Sequence, residues 1–298
     1  MDLKNTKNYF HLAGIIPVAG QKLDFNLPWH DCCMPVAANY LAIERAVVEC
    51  AYAGCETIWI VCHDDMQPLI RHRLGDYIND PVWVSRIKDK RPSESKKQIP
   101  IFYVPVHPKD RDRRDCLSWS VLYGAQSSYN IATQISKWVV PDRYYVAFPY
   151  GVYPVEFLRE HRATISSKKG FYISHNNKTI RDGEYLGFTF NSEEFLQLRR
   201  QLRNTATGLF TSELNEDGLP RKKFPTEQRY SARFFTLNEV FDPLSLQDKH
   251  SVEIPWYHNT DSWEGYCQFL ASKDKDEIRR PSKGILSYHE FNKIGQEE

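Results

Sequence analysis

Short unbroken apolar runs alternate with longer segments of helical spacing along the first half of the chain. Residues 15–19 (IIPVA) are an apolar run closed by Gly20, which predicts a buried strand running into a loop. The loop, 21–33, carries the turn formers Asp24, Asn26, Pro28 and Asp31. From Pro35 onward a helix is predicted, with Ala38, Leu41, Ala42, Arg45, Ala46, Val48 and Glu49 at helical spacing, and Gly54 ends it as a C-terminal glycine does. Residues 57–62 (TIWIVC) are β-branched and aromatic without polar alternation, the pattern of a central parallel strand. Strand, loop, helix and strand make a βαβ unit with a right-handed crossover. A helix over 66–77, a strand at 99–104 (IPIFYV), a helix over 116–138 interrupted near Gly124, and a strand at 144–148 (YYVAF) continue the alternation, with 86–98 as an exposed polar loop. The fold class that follows is α/β: a mostly parallel, Rossmann-like central sheet with helices on both faces.

The second half is patterned differently. Strands are predicted at 170–173, 185–190 and 252–256, a mixed C-terminal extension of the sheet. A helix over 192–203 has Ser192 as its N-cap, Glu193 and Glu194 at its positive end, and Arg199, Arg200 and Arg203 at the other. Residues 204–230 read as a long loop. The domain organisation is a single α/β domain over 1–270 followed by a charged, peripheral tail over 271–298.

Composition narrows the picture. The 298 residues are 41% hydrophobic, enough for a sizeable core. Lys plus Arg is 39 against 38 Asp plus Glu, a balance that argues against dedicated nucleic-acid binding. Seven cysteines, an odd number without a Cys-x-x-Cys pair, suggest a reducing compartment. The polar first residues, with Lys4 and Lys7, do not look like a secretory leader, and no stretch has the length of a membrane span. The expected setting is cytoplasmic, with no membrane partner.

Several residues have the chemistry for a site. His63, Asp64 and Asp65 follow a strand at the edge where α/β sheets bind ligands, and Asp64 or Asp65 also suits the cap of the next helix. His30, Asp31, Cys32 and Cys33 are adjacent but lack metal-ligand spacing. Arg111, Arg113 and Arg114 in the stretch 107–115 (HPKDRDRRD) suit a phosphate or an acidic partner, while the interleaved aspartates suit a solvated loop. Asp261 fits either a Mg²⁺ ligand or the N-cap of a helix over 262–270. No Gly-x-Ser-x-Gly or Walker loop is present.

The order of certain segments resembles the sugar-1-phosphate nucleotidyltransferases, a GT-A-like fold. Ile15-Ile16-Pro17-Val18-Ala19-Gly20 resembles that family's first strand and loop, Lys22-Leu23 its Arg-Leu, Met34-Pro35-Val36 the end of its Pro-Val element, and Ala53-Gly54 the approach to its second strand. Fainter likenesses are Tyr123-Gly124-Ala125 near the base, residues 146–153 (VAFPYGVY) at the strand ending in Gly-Asp, Tyr185-Leu186-Gly187-Phe188 beside the sugar, and residues 259–266 (NTDSWEGY) at the closing segment. The resemblance implies an enzyme joining a nucleoside triphosphate to a sugar phosphate, giving a nucleotide sugar and pyrophosphate, with Mg²⁺ as cofactor. It implies Gly20, Gln21 and Lys22 at the phosphates, Gly124 near the base, Tyr150 and Gly187 in the substrate site, and Lys22 and Asp261 in catalysis, with Asp261 on the metal. An oligomer is compatible with it.

The sequence also departs from the family pattern. One glycine stands in the phosphate loop, the family's lysine falls on Asp31, and its first metal-binding aspartate falls on Tyr150, with Asp24 or Asp31 as candidate replacements. A second expectation follows: the same fold kept as a nucleotide-sensing, scaffolding or assembly subunit. A glycosyltransferase is a third, but its Asp-x-Asp form, Asp110-Arg111-Asp112, lies in the charged loop and not after the fourth strand.

Overall fold

The structure, a computed structural model, describes residues 10–21, 24–85, 97–111, 114–136, 139–206, 235–282 and 284–286, and the isolated positions 208, 214, 218, 222–225, 229 and 231. The first strand, β1 (Leu12–Pro17), is buried along its whole length. A short hairpin follows, β2 (Pro35–Ala37) and β3 (Tyr40–Leu41), then helix α1 (Ala42–Ala53) and strand β4 (Thr57–Cys62). The hairpin corrects the expected helix start at Pro35. Asn39 turns the chain in the left-handed region at φ 54°, and the helix begins only where the Glu44 carboxylate accepts the Leu41 N–H at 2.8 Å. Gly54 ends α1 at φ 91°, as its sequence position suggested.

Next come α2 (Gln67–Leu74), β5 (Tyr77–Asn79), α3 (Pro81–Ser85), β6 (Gln98–Pro105), α4 (Pro108–Arg111) and α5 (Leu117–Ile135). Helix α5 runs through Gly124 without interruption. A Cβ there would stand 2.8 Å from Val61 Cγ2 and 2.9 Å from Ile15 Cγ2, so the glycine lets the helix lie close on the sheet. After β7 (Arg143–Val146), β8 (Gly151–Val152) and α6 (Leu158–Ile165) come β9 (Phe171–Ser174), β10 (Phe188–Phe190) and α7 (Ser192–Thr205). The N-cap of α7 is Asn191, one residue before the expected Ser192; its side chain accepts the Glu193 and Glu194 N–H groups, and Glu194 returns the bond to Asn191 N–H. The chain closes with α8 (Leu237–Phe241), β11 (His250–Glu253), β12 (His258–Asn259) and α9 (Trp263–Ala271).

Eight strands form one sheet in the order β11-β9-β10-β7-β1-β4-β6-β5. Strands β7, β1, β4 and β6 are parallel neighbours, with Ile15 opposite both Trp59 and Val146, while β10 and β5 run against their neighbours. Helices cover both faces. A Cβ on Gly14 would meet Cys50 Sγ of α1 at 2.9 Å, whereas the next residue, Ile15, faces α5.

Beneath α1 lies a buried polar network. Arg45 and Glu49 are both 0% exposed and paired at 3.1 Å. Tyr145 and Tyr153 hydroxyls donate to Glu49 Oε1 at 2.8 and 2.6 Å, and Arg45 donates to the Phe148 carbonyl at 2.7 Å. Burial pushes the Glu49 carboxyl up, and Arg45 with the two phenols opposes that.

The tail expectation is corrected as well. Ile278, Ile285 and Leu286 are buried, Leu286 bridges to Ile78 on the edge strand β5, and the Asn79 N–H donates to the Ile285 carbonyl at 2.9 Å. Arg280 reaches Glu44 at 3.4 Å. Ile278, Ile285 and Leu286 are therefore packed against the rest of the fold.

Candidate functional site

A cleft of about 670 Å³ opens beyond the carboxyl end of β1. It lies where connections leave neighbouring strands of the parallel core, the place open α/β sheets offer to ligands. Its floor begins with the turn after β1. Val18 and Ala19 N–H groups both donate to the Val61 carbonyl at 2.9 Å, which fixes the exit of the chain. Gly20 then takes φ 85°, and a Cβ on it would lie 2.4 Å from the backbone carbonyl carbon of Cys116. One glycine is required here because the loop presses backbone to backbone on the start of α5. Gln21 follows on the cleft wall. Lys22 lies outside the described residues.

Asp24 fastens this loop to the far end of the chain. Its carboxylate accepts the Trp263 N–H at 2.8 Å, and Phe25 packs edge-on to Trp263 with ring centres 5.4 Å apart. The N-cap of α9 is Ser262, whose hydroxyl accepts the Gly265 N–H at 3.2 Å. That removes the cap role considered for Asp261. Its carboxylate lines the cleft and accepts the Tyr185 hydroxyl at 3.0 Å. Burial, and then the Asp261 charge, push the Tyr185 phenol up, so it stays a proton donor.

Asp24, Asp182 and Asp261 all line the cleft, and no Lys or Arg does so among the described residues. Leu117 and residues 235–238 complete the wall. Asp182 and Thr236 are far apart in sequence, each in a capping box, Thr179 with Asp182 and Thr236 with Glu239, a motif that marks helix starts and not a ligand site. Among the described residues no three His, Cys, Asp or Glu side chains are grouped to hold a metal ion. Asp261 and Asp24 each have one carboxylate oxygen engaged by the protein, and Mg²⁺ is commonly held by one or two carboxylates together with substrate phosphates.

The predicted site residues divide into two groups. Gly20, Gln21 and Asp261, distant in sequence, share the cleft. Tyr150 is 1% exposed and lies under Tyr185, ring centres 5.7 Å apart, so its side chain supports the cleft without entering it. Burial pushes its phenol well up. Gly124 packs on the sheet, as above. At Gly187 a Cβ would lie 2.4 Å from the Tyr145 hydroxyl and 2.8 Å from Glu49 Oε1, so this glycine makes room for the buried network.

The remaining candidates are tied into structure. His63 pairs with Asp115 at 3.3 Å and Arg111 with Asp64 at 2.9 Å, joining the charged stretch to the loop after β4. Asp65 accepts the Met66 N–H, and α2 has no side-chain cap. His30 is buried, accepts the Cys32 N–H at 3.2 Å, and is pushed down to about 4 by burial and by the nearby His63. Asp31 accepts the Asp24 N–H at 3.1 Å and is raised by burial. Arg113 lies outside the described residues.

No protein-family model matches the chain, and no curated protein matches it in sequence. Solved structures do. One is assigned as a glucose-1-phosphate thymidylyltransferase from Bacillus anthracis, at 11% identity and TM-score 0.53, covering 91% of this chain and 98% of that one. A UTP-bound UGPase from Acinetobacter baumannii superposes at 12% identity and TM-score 0.51, covering 97% and 100%. An apo UDP-glucose pyrophosphorylase gives 11% and 0.51, covering 90% and 100%. The chain thus has the nucleotidyltransferase fold, as a divergent example. No helix among the described residues is long and apolar enough to cross a membrane.

Proposed function

We propose that this chain binds a nucleotide or nucleotide sugar in the cleft between Gly20, Gln21 and Asp261, and has kept the nucleotidyltransferase fold for sensing or scaffolding. The observation that carries this reading is Tyr150. The resemblance aligns it with a metal-binding aspartate, yet it is a buried phenol beneath Tyr185. A polyphosphate entering the cleft would face Asp24, Asp182 and Asp261 without a described cation to offset them. A ligand with hydroxyls to donate suits these carboxylates, and a nucleotide sugar carries such hydroxyls on both ends.

A second reading is favoured by Asp261, a cleft carboxylate not used as a helix cap. In it the protein is an enzyme that joins a nucleoside triphosphate to a sugar 1-phosphate. A phosphate oxygen of the sugar bonds to the α-phosphorus as the α–β bridge breaks, and pyrophosphate leaves. The chain's own part would be positioning and charge neutralisation. Lys22 is the basic residue that the sequence sets beside Gln21 for that purpose. Mg²⁺ would supply charge neutralisation at the phosphates, with Asp261 as the one matched carboxylate.

Thermal shift across the four nucleoside triphosphates and a panel of nucleotide sugars, with and without Mg²⁺, tests the first reading. A ligand at a hundredfold excess over its Kd stabilises by about 2.7 kcal/mol. Binding without pyrophosphate release in the presence of sugar 1-phosphates supports it. Sustained release establishes the enzyme instead, and no shift at millimolar ligand removes both.

A further inference from the structure

Two arginine clusters far apart in sequence meet in space. Arg114 ends the charged stretch before α5, and Arg199, Arg200 and Arg203 lie on the last turns of α7. All four line one cavity of about 620 Å³ between the two helices. Among the described residues no carboxylate lines it. Arg114 has Asp110 as an acidic partner at 3.7 Å, and Arg199 donates to the Gln126 side-chain oxygen at 3.3 Å. Arg200 and Arg203 have no acidic partner among the described residues. Like charges gathered on one concavity repel, and a bound anion relieves that repulsion.

The cavity has an apolar wall as well. Trp119, Leu196 and Leu202 line it, and the Arg114 guanidinium lies over the Trp119 ring at 4.8 Å from its centre. The Trp119 indole N–H, shielded from solvent, has no acceptor among the described residues. Leu196 and Arg199 are shared with an adjoining cavity of about 300 Å³ lined by Tyr129, Tyr144 and Phe195. Guanidinium forks match phosphate oxygens in pairs. The volume is that of a small-molecule pocket. The formal net charge of the whole chain is +1, so the basic excess here is local.

We propose that the arginine cavity is a second ligand site, separate from the cleft, which takes a small organic phosphate. The phosphate sits among Arg114, Arg199, Arg200 and Arg203, and an aromatic or apolar body extends past Leu196 towards Tyr129 and Phe195. The proposal is independent of the reading of the cleft, since none of these residues lines it.

Calorimetry with phenyl phosphate, which is not a nucleotide, in low-salt, Mg²⁺-free buffer tests it on three proteins: wild type, Arg200→Ser/Arg203→Ser, and the cleft variant Asp261→Asn. The arginines are exposed, so the double variant should keep its unfolding midpoint. The expected result is binding to wild type, at least a tenfold loss in the double variant, and none in Asp261→Asn. A single Arg203→Lys, which keeps the charge and loses the fork, should fall between. Equal binding by wild type and the double variant would overturn the proposal. So would loss confined to Asp261→Asn, inorganic phosphate binding as tightly as phenyl phosphate, or retention of a DNA duplex with no binding of phenyl phosphate at millimolar concentration.

Discussion

Glu49 and Arg45 sit one helical turn apart with no exposure to water, so each is the other's main compensation for lost hydration. Replacing Arg45 by Ala leaves a buried carboxylate held by two phenols alone, and should cost roughly 3–5 kcal/mol in urea unfolding. Gly20→Ala is expected to lose at least about 2 kcal/mol, because a Cβ there needs both a strained backbone and space already filled by Cys116. His30 makes stability depend on pH. Its native pKa of about 4 lies below the ordinary 6.5, so the unfolded chain binds the proton more readily. The His30 contribution is complete above about pH 6.5 and lost as pH falls towards 4, a difference of roughly 3 kcal/mol. Chemical unfolding at pH 7 and pH 4 should show a smaller difference for His30→Gln than for wild type. The same slope in both proteins would assign the pH dependence to other groups. At this scale sequence reading reaches residue types and not their use. Gly124 and Gly187 look like glycines at a ligand, but a glycine that lets a helix approach a sheet, as Gly124 does, or that makes room for buried side chains, as Gly187 does, leaves the same mark in a sequence.

Among the elements, the central parallel strands and the end of α1 were legible because their signals are local. Apolar runs mark β1 and β4, and Gly54 at positive φ marks the helix end. The β2–β3 hairpin was not, since its apolar residues also fit a helical period, and only the turn at Asn39 separates the two readings. Nor was the packing of the tail, where three apolar residues are spread among charges and two of them, Ile285 and Leu286, meet β5. Deleting the chain from residue 278 onward removes Ile278, Ile285 and Leu286 from the core and strips Asn79 of its backbone partner. The truncated protein should unfold several degrees lower than the full chain, each buried side chain being worth about 1.5–3 kcal/mol. At the start of α7, Asn191→Ala removes the acceptor for two N–H groups and should cost about 1 kcal/mol. Asn191→Asp, which keeps the acceptor, should cost little.

For the whole molecule, alternating strands and helices announced the α/β sheet, and the order of faint motifs announced which α/β fold. The cleft was half legible. Gly20, Gln21 and Asp261 come from segments whose order matches the resemblance. Leu117, at the start of α5, and Asp182 and Thr236, from short helical segments much later in the chain, reach the same cleft only through tertiary packing, and nothing local in their sequence reveals that. The arginine cavity was equally hidden, being formed where the approach to α5 meets the end of α7.

The bonds at Glu49 and Arg45 also bear on the order in which the chain can acquire its structure. Tyr145 and Tyr153 are 96 and 104 residues from Glu49, and the Phe148 carbonyl is 103 residues from Arg45. A nascent β1-α1-β4 unit therefore lacks the groups that make the inner side of α1 compatible with a dry interior. Closing a loop of that length is slow relative to forming local helix and hairpin contacts. The N-terminal third is then not an autonomous folding unit, although its pattern looks like one. Native-state hydrogen exchange should open the amides of β1, β4 and β7 together, at one free energy. A fragment ending before residue 140 should show no cooperative thermal transition, and a cooperative one would mean that the local contacts of α1 outweigh its unpaired charges.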